Sequence, residues 1–324
     1  MGGGSWDNDR YYNDTKTRAS KGVADFDYTT TATTIHKNLD PKRINKKPFK
    51  KLESRDSKEH PESNAVLVCF DVTGSNFERA VDAQKKLPNL MGLLTKYLKD
   101  PQVAVAANDD FTVEGTNSIQ ISDFESDNRI DEHIRNIWLV RDGGGNDGES
   151  YDLLLYAAAR KTVLDCVEKR GKKGYMFLYA DEPIFKYVAA SHVNSVFNDT
   201  LEGEIPIAEI IEEARNLYNI YVIWPEGGYA HAREQYVELF GEEYVLTSQH
   251  PNLICELIAS TIGMAEEQTT SVDDVKRDLI SVGSSASEAN EVVKSLTIIA
   301  KSRGAITKGS VKPTDTRAAE RLVS

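Results

Sequence analysis

Short, continuous apolar runs alternate with helical patterns through the middle of the chain. Residues 65–71 and 174–181 are almost wholly apolar, which is typical of strands buried on both faces. Further strands are predicted at 102–107, 118–124, 219–224 and 244–248, and helices at 77–99, 128–139, 150–168, 185–197, 206–217, 230–240 and 252–265. This alternation predicts an α/β fold, a Rossmann-like, doubly wound and mostly parallel sheet.

The two ends of the chain have a different character. Residues 1–63 combine basic stretches with more aromatic side chains than a simple linker carries, and predict an extended arm that wraps along a surface. The α/β domain is expected at 64–267, a helical hairpin at 268–301 and a disordered basic tail at 302–324. Residues 271–274 have the form of a capping box that opens the hairpin.

Charge is unevenly distributed over the 324 residues, whose net formal charge is −12. Residues 1–60 and 301–324 each carry a net charge of +4, so the segment between them carries −20. Two interpretations remain open: a solvated acidic surface with flexible tails, or tails that dock on an acidic surface of this molecule or a neighbour. The acidic balance makes nucleic acid an unlikely partner.

Several protein classes are disfavoured by composition. No apolar run approaches the roughly 20 residues that a membrane helix needs, and the N-terminus lacks the apolar core of a secretory signal. Cys69, Cys166 and Cys255 each lie in an apolar run, so we expect buried thiols rather than disulfides or a zinc site. These features predict a cytoplasmic protein without a membrane partner.

Oxygen-bearing side chains follow several predicted strands. The first strand ends in Asp71-Val72-Thr73-Gly74-Ser75, the second in Asn108-Asp109-Asp110 and the fourth in Asp181-Glu182, while Gly143 to Ser150 precede a helix. The carboxyl ends of parallel strands meet at one edge of a sheet, where ligands bind. Hydroxyl and carboxylate oxygens suit Mg²⁺ or Mn²⁺. Taken alone, Asp-x-Thr-x-Ser fits a helix N-cap equally well.

The combination resembles the metal-ion-dependent adhesion site of von Willebrand factor A domains, over about residues 64–267. In that family Asp-x-Ser/Thr-x-Ser supplies the first loop, which matches Asp71, Thr73 and Ser75, and an Asp after the fourth strand matches Asp181. The whole chain is also similar to an uncharacterised group of bacterial and phage-type A-domain proteins. The resemblance implies a bound Mg²⁺, with Mn²⁺ or Ca²⁺ as alternatives, in the cytoplasm of a bacterium or of a phage-infected host cell.

The second loop departs from the commonest family pattern, because no Thr lies in it. Residues 143–149 instead resemble a Gly-Gly-Gly-Asp-x-Pro-Glu variant, which makes Glu149 the expected second-loop ligand, with Ser150 behind it. Asp109, Asp110, Asn146 and Ser150 are then expected to support metal-bound waters or the ligands, although a turn explains Asp109 and Asp110 equally well. An extra carboxylate raises metal affinity and weakens the cation's attraction for an outside acid.

The resemblance implies a non-enzymatic, protein-binding module that serves a multiprotein complex, as intracellular relatives do beside AAA+ ATPases of the MoxR type. The resemblance also implies a partner that contributes an acidic side chain to the cation, an attraction that the extra carboxylate of Glu149 would weaken. The alternatives are a structural protein of a phage or phage-like particle and, less favoured, a metal-dependent phosphoesterase. Oligomeric state is left open.

Two further groups have competing interpretations. Asp123, Glu125, Asp127 and Asp131 are expected to form a solvated acidic face. Trp224, at the end of the fifth predicted strand, and Tyr229, beyond it, are either core residues or an exposed hot spot for a partner, with a core position favoured for Trp224.

Overall fold

The computed structural model describes residues 4–45, 51–72, 77–139 and 148–302. Its strands are β1 Leu52–Ser54, β2 Asn64–Asp71, β3 Pro101–Asn108, β4 Ile119–Ile121, β5 Thr162–Leu164, β6 Gly174–Tyr179, β7 Tyr187–Val188, β8 Ile205–Pro206, β9 Tyr218–Pro225 and β10 Val245–Ser248. The helices that come first along the chain are α1 Asn8–Ser20, α2 Asp27–Thr31, α3 Phe77–Lys85, α4 Leu87–Tyr97, α5 Phe111–Glu114, α6 Arg129–Arg135 and α7 Tyr151–Arg160.

The remaining helices are α8 Asp165–Arg170, α9 Ala190–Phe197, α10 Ile207–Arg215, α11 Ala230–Phe240, α12 Ile254–Ala265, α13 Val272–Ser281 and α14 Ala286–Ser302. Single 3-10 turns lie at Pro41–Asn45, Gly115–Asn117, Glu242–Tyr244 and Pro251–Leu253.

A six-stranded sheet forms the centre of the molecule. Its strands lie in the order β10-β9-β6-β2-β3-β4, and all neighbours are parallel except β4, which pairs antiparallel with β3. Numbered along the chain, these six strands have the order 3-2-1-4-5-6 of doubly wound folds. The predicted α/β fold class is confirmed.

Helices cover both faces of this sheet. Because successive side chains of β2 point to opposite faces, this strand contributes to a hydrophobic cluster on each side. Val66, Val68 and Phe70 belong to one hydrophobic cluster with side chains of α3, α4, α6, α12, α13 and α14. Leu67 and Cys69 belong to a second cluster with side chains of α7, α9, α10 and α11. The three cysteines are buried free thiols, as predicted.

The N-terminal region packs on the first cluster and differs from the extended arm that the sequence predicted. Residues 8–20 form α1, where the carboxylate of Asp7 accepts a hydrogen bond from the Arg10 N–H at 3.0 Å and caps the helix. Tyr11 is only 4% exposed, and its hydroxyl donates to the Gln84 carbonyl at 2.9 Å. Tyr11 therefore serves packing and holds α1 against α3, whereas the neighbouring Tyr12 is 50% exposed.

The helix predicted over 150–168 is interrupted. Residues 162–164 form β5, which pairs in parallel with β1, so that Leu52 lies opposite Thr162. The prediction was wrong here because the pairing partner lies 110 positions earlier in the chain, where no local pattern indicates it. The helix predicted over 77–99 is likewise two helices, α3 and α4, and Pro88 stands at the start of the second.

The predicted acidic face is wrong for two of its members. Glu125 and Asp131 are each 5% exposed and paired with arginines: the Arg129 guanidinium lies 2.6 Å from Glu125, and that of Arg18 lies 3.0 Å from Asp131. Burial of these carboxylates is tolerated because each has a guanidinium partner.

Two helices, α13 and α14, occupy the region of the predicted hairpin. The hydroxyl of Ser271 accepts from the Asp274 N–H at 3.1 Å, and the Asp274 carboxylate accepts from the same hydroxyl, as the capping pattern indicated. Residues 303–324, most of the predicted disordered tail, lie outside the described residues. Within the described part of the chain, no helix is long and apolar enough to cross a bilayer.

Candidate functional site

The site lies at the switch point of the sheet, between β2 and β6. Chain connections run in opposite directions from these two neighbours, which leaves a crevice at their carboxyl ends. Asp71 is the last residue of β2, and Asp181 follows the end of β6 by two positions. The hydroxyl of Tyr151, at the start of α7, donates to Asp71 Oδ2 at 2.5 Å and lies 3.5 Å from Asp181 Oδ1. Two of the predicted ligands are therefore brought together.

Glu149 joins this group from the loop before α7. Its backbone N–H donates to the Pro183 carbonyl at 3.1 Å, and it forms an isolated bridge with Ile184, so that the loop after β6 fixes its position. The residue is 4% exposed, and its Oε2 atom has no hydrogen-bond partner among the described residues. Burial, followed by the nearby charges of Asp71 and Asp109, raises the pKa of Glu149 to about 10.

Asp109 contributes a third buried carboxylate. It is 2% exposed; its Oδ1 accepts from the Asp110 N–H at 2.7 Å, while its Oδ2 has no partner in the described part of the chain. The pKa of Asp109 is raised to about 7, mainly by burial and further by the charges of Glu114 and Asp71, against the lowering effect of the hydrogen bond from the Asp110 N–H. Asp109 is therefore a buried carboxylate surrounded by other acidic side chains.

Asp110 and Ser150 have structural roles instead. The Asp110 carboxylate accepts from the Thr112 N–H at 2.7 Å and caps α5, which corresponds to the turn interpretation. The Ser150 hydroxyl accepts from the Phe111 N–H at 2.9 Å, which ties the start of α7 to the start of α5. Both side chains thereby hold the loops that carry Asp109 and Glu149.

Part of the predicted ligand set cannot be placed. Thr73, Ser75 and Asn146 lie outside the described residues. Among the side chains that are described, no three His, Cys, Asp or Glu residues are grouped as a metal-binding cluster. Metal binding therefore remains a prediction from the sequence. Whether a cation suits the site can be judged from the types of donor atom that the described residues offer.

That chemistry suits a hard cation. The available donors are oxygens, and two buried carboxylate oxygens, on Glu149 and Asp109, have no hydrogen-bond partner within the described ranges. The charges that raise the pKa of Glu149 all belong to acids: Asp71, Asp109, Glu182 and Asp110. A divalent cation among these carboxylates would offset their mutual repulsion and supply the partners that the buried oxygens lack there.

Sequence reasoning missed Tyr151, although it directly follows Glu149 and Ser150 in the chain. The side chain is fully buried and packs edge-on against Tyr236, with ring centroids 6.4 Å apart. Trp224, within β9, and Tyr229, beyond its end, differ in their exposure to solvent. Trp224 is 8% exposed and belongs to the core, as favoured, whereas Tyr229 is 58% exposed.

Comparison with known proteins gives structural neighbours alone. No protein-family model matches the chain, and no curated protein matches it. Among solved structures, the chain is similar to the pilus adhesin SpaC from Lactobacillus rhamnosus GG in its open conformation, with 8% identity, a TM-score of 0.42, and coverage of 69% of this chain and 31% of that one.

It is also similar to a von Willebrand factor type A protein from Catenulispora acidiphila, with 12% identity, a TM-score of 0.39, and coverage of 65% of this chain and 44% of that one. The von Willebrand factor domain of the type V pili tip protein Mfa5 from Porphyromonas gingivalis has 13% identity and a TM-score of 0.41; 62% of this chain and 95% of that one are covered. The chain thus spans under half of the length of the first two neighbours. The fold class itself rests on the strand order of the chain.

Proposed function

We propose that this chain is a protein-binding module whose binding edge is organised by a divalent cation, with Mg²⁺ as the first choice. One observation carries the proposal: the buried Oε2 of Glu149, which no described residue partners, lies in the field of Asp71 and Asp109 at the switch point of the sheet. An acid that is buried without a counter-charge is costly unless it is neutralised or binds a cation. Such strongly perturbed acids are frequent at functional sites.

Asp71, Glu149 and Asp181 would hold the cation, and the sequence adds the hydroxyls of Thr73 and Ser75. When bound, the cation would supply a Lewis-acidic coordination position at the surface for an oxygen of the partner. The fully buried hydroxyl of Tyr151 would remain part of the wall behind it. The family resemblance supports binding rather than catalysis.

Tyr229 supplies a second contact for a partner at the same edge. It follows the carboxyl end of β9 and is 58% exposed. Exposed tyrosines are frequent among the residues that dominate binding energy in protein interfaces. The proposed partner is therefore a protein that presents an acidic side chain to the cation and an apolar surface to Tyr229. We further propose that the protein serves a complex that contains an AAA+ ATPase, and this more specific role rests on the family resemblance alone.

The other two functions find less support. A phosphoesterase needs cationic side chains to hold phosphate, and the groups that shift the pKa of Glu149 are all acidic. A particle protein would use its N-terminal region between subunits, whereas Tyr11 packs into the core of its own chain. Both observations concern the described residues and favour the binding module.

Thermal unfolding tests the cation. We would measure the melting temperature of the full chain in EDTA, Mg²⁺, Mn²⁺ and Ca²⁺, for the wild type, Asp71→Ala and Asp14→Ala. A ligand that binds only the native state raises stability with its occupancy. We expect a cation-dependent rise in the wild type and in Asp14→Ala, an exposed site on α1, but not in Asp71→Ala. The absence of any rise at millimolar cation would refute the proposal.

Partner binding then tests the function. The purified wild type, Asp71→Ala and Tyr229→Ala would be compared as baits in Mg²⁺ and in EDTA. Binding that is lost in EDTA and in both variants supports a cation-organised interface. Binding that survives EDTA and Asp71→Ala would mean that this edge is not the interface.

A further inference from the structure

A cavity of about 490 Å³ opens between the N-terminal region and the turn that precedes β4. The residues that line it include Tyr28, His36, Lys37, Lys42 and Asn117. Its volume lies within the range of about 300–1,000 Å³ that ligand sites occupy. None of the described residues that would hold the cation is among its lining, so the cavity is a separate candidate site.

Contacts within the chain fix the walls of this cavity. The Thr34 hydroxyl donates to Asn117 Oδ1 at 2.8 Å, which joins the N-terminal region to the turn before β4. The Tyr28 hydroxyl donates to the Thr34 carbonyl at 3.0 Å, and its ring packs edge-on against that of His36, with centroids 4.8 Å apart. The cavity is therefore formed before a ligand arrives, which lowers the entropic cost of binding.

Two lysines give the cavity a positive lining. Lys37 and Lys42 have no ion-pair partner among the residues that the structure describes. Asp40 is the only acid in the described lining, and its Oδ1 accepts from the Lys42 N–H at 2.9 Å. Ammonium groups without an internal counter-charge favour an anionic ligand.

A second cavity, of about 630 Å³, provides a contrast. It also contains two lysines, but Lys96 pairs with Asp278 and Lys99 pairs with Glu62 at 3.0 Å. These charges are already compensated within the chain. The cavity that contains Lys37 is therefore the better candidate for an anion.

This cavity lies at the same edge of the sheet as the candidate cation site. Asn117 belongs to the connection from β3 to β4, which begins with Asp109. The Asp109 N–H donates to the Ser118 carbonyl at 2.7 Å, so the two ends of this connection lie together. β3 is parallel to β2, and Asn108 at its end lies opposite Asp71. A protein bound at the cation thus faces the side of the molecule on which the cavity lies.

We propose that this cavity is an anion site that binds a carboxylate-rich peptide segment of the partner. Its assignment to that partner rests on the proposed function, whereas the binding of carboxylates does not. A chain of net charge −12 repels an acidic partner at long range, so recognition needs a local region of opposite sign. Lys37 and Lys42 supply that region. They also compensate for the weaker attraction of a cation that has the extra carboxylate of Glu149 beside it.

The test is a titration of fluorescein-labelled hexaglutamate with the full chain in EDTA, followed by fluorescence anisotropy. Binding in EDTA cannot depend on the cation. The cavity variant is Lys37→Ala/Lys42→Ala. Its matched control is Lys58→Ala/Lys173→Ala, which makes the same change in net charge at two exposed lysines that precede the amino ends of β2 and β6, on the opposite edge of the sheet.

We expect the wild type and the control to bind the peptide equally and the cavity variant to bind it about tenfold more weakly, because two charge-assisted contacts are lost. Equal weakening in both double variants would show attraction by overall charge and overturn the inference. Displacement of the peptide by inorganic phosphate more readily than by glutamate would identify a phosphate site and overturn it as well.

Hydrogen exchange of the wild type provides an independent measurement if the cavity variant fails to fold. The peptide should slow exchange in residues 28–42 and 115–117. Protection confined to other segments would overturn the inference.

The cavity variant would then serve as bait for the partner in Mg²⁺, and weaker capture than by the wild type is expected. Undiminished capture would overturn the assignment to that partner. If the wild type bound the peptide but its melting temperature did not respond to any cation, the proposed function would fail while the anion site stood. If the cation response were present and the peptide did not bind, the inference would fail while the proposed function stood.

Discussion

Arg18 of α1 and Asp131 of α6 form an ion pair of 3.0 Å with little exposure to solvent. The exposed fractions of the two side chains are 15% and 7%. Asp131 also accepts a hydrogen bond from the Gln84 amide at 2.7 Å, so one carboxylate connects α1, α3 and α6. The N-terminal helix is therefore an integral part of the folded domain.

Arg18→Met should destabilise the protein by about 3 kcal/mol, because the Asp131 carboxylate would stay buried without its guanidinium. Arg10→Met is the control. Arg10 pairs with Asp14 at 3.6 Å on the solvent side of the same helix, with 64% and 53% of the side chains exposed. That exposed pair should contribute less than about 1 kcal/mol. Urea unfolding of both variants checks the contrast, and equal losses would contradict it.

Two helical glycines should respond oppositely to alanine. A Cβ on Gly263 of α12 would lie 2.8 Å from the Tyr97 ring, so Gly263→Ala should cost about 1–3 kcal/mol through overpacking. At Gly92 of α4 the nearest atom, on Val282, lies at an ordinary 3.6 Å. Gly92→Ala should therefore gain about 0.5–1 kcal/mol from the lower entropy of the unfolded chain. Thermal unfolding distinguishes the two signs.

His133 should make stability fall in mild acid. Burial lowers the pKa of His133 to about 4, against the raising effect of Asp123, and its Nδ1 has no hydrogen-bond partner among the residues that the structure describes. Between pH 6.5 and 4 the unfolded chain binds a proton that the native chain does not. The free energy of unfolding therefore decreases as the pH falls through this window, by about 2–3 kcal/mol at pH 4.5 from this group.

His133→Gln provides the test, because glutamine does not titrate. Unfolding free energies of both proteins at pH 7 and pH 4.5 would be compared. We expect the difference between the two pH values to be smaller in the variant. The same pH dependence in both proteins would show that His133 is not responsible.

Glu149→Gln should separate the stability of the metal-free protein from its response to a cation. Because the pKa of Glu149 is raised to about 10, this residue must take up a proton on folding at neutral pH; glutamine does not titrate and removes that cost, so the melting temperature in EDTA should rise. The further rise on adding Mg²⁺ should shrink, because a proposed ligand is lost. Glu182→Gln is the control: it lies in the same group of acids but is not a proposed ligand. An undiminished Mg²⁺ response in Glu149→Gln would contradict its role.

The parts of the fold that the sequence predicts well are those with a local cause. β2 is buried on both faces, so its apolar run is continuous, and its observed bounds, Asn64–Asp71, lie within one residue of the prediction. β5 was missed because its three residues are strand only through pairing with Leu52–Ser54. The burial of Asp131 was missed for a similar reason, since its partner Arg18 lies on an element that no local pattern placed nearby.

The candidate site likewise contains residues that the sequence predicts and one that it does not. Asp71 is the last residue of β2 and Asp109 directly follows β3, so the order of strands and helices along the chain is enough to place them at one edge of a parallel sheet. The role of Tyr151 could not be predicted in this way. Its hydroxyl reaches Asp71 only because of the way α7 packs against the sheet, and the local sequence does not determine that packing. A tyrosine at the start of a helix is ordinarily a core residue, and its hydroxyl gains significance only through the two carboxylates that packing brings beside it.

The docking of α1 also has a consequence for synthesis on the ribosome. Tyr11 packs where Gln84 and Asp131 meet α1, and these residues leave the ribosome much later than α1 itself. At 5–20 residues per second, the interval between residues 20 and 131 is on the order of 5–20 s. Throughout that time Tyr11 lacks the complete surface on which it packs. The body of the protein must therefore assemble before it can cover this helix.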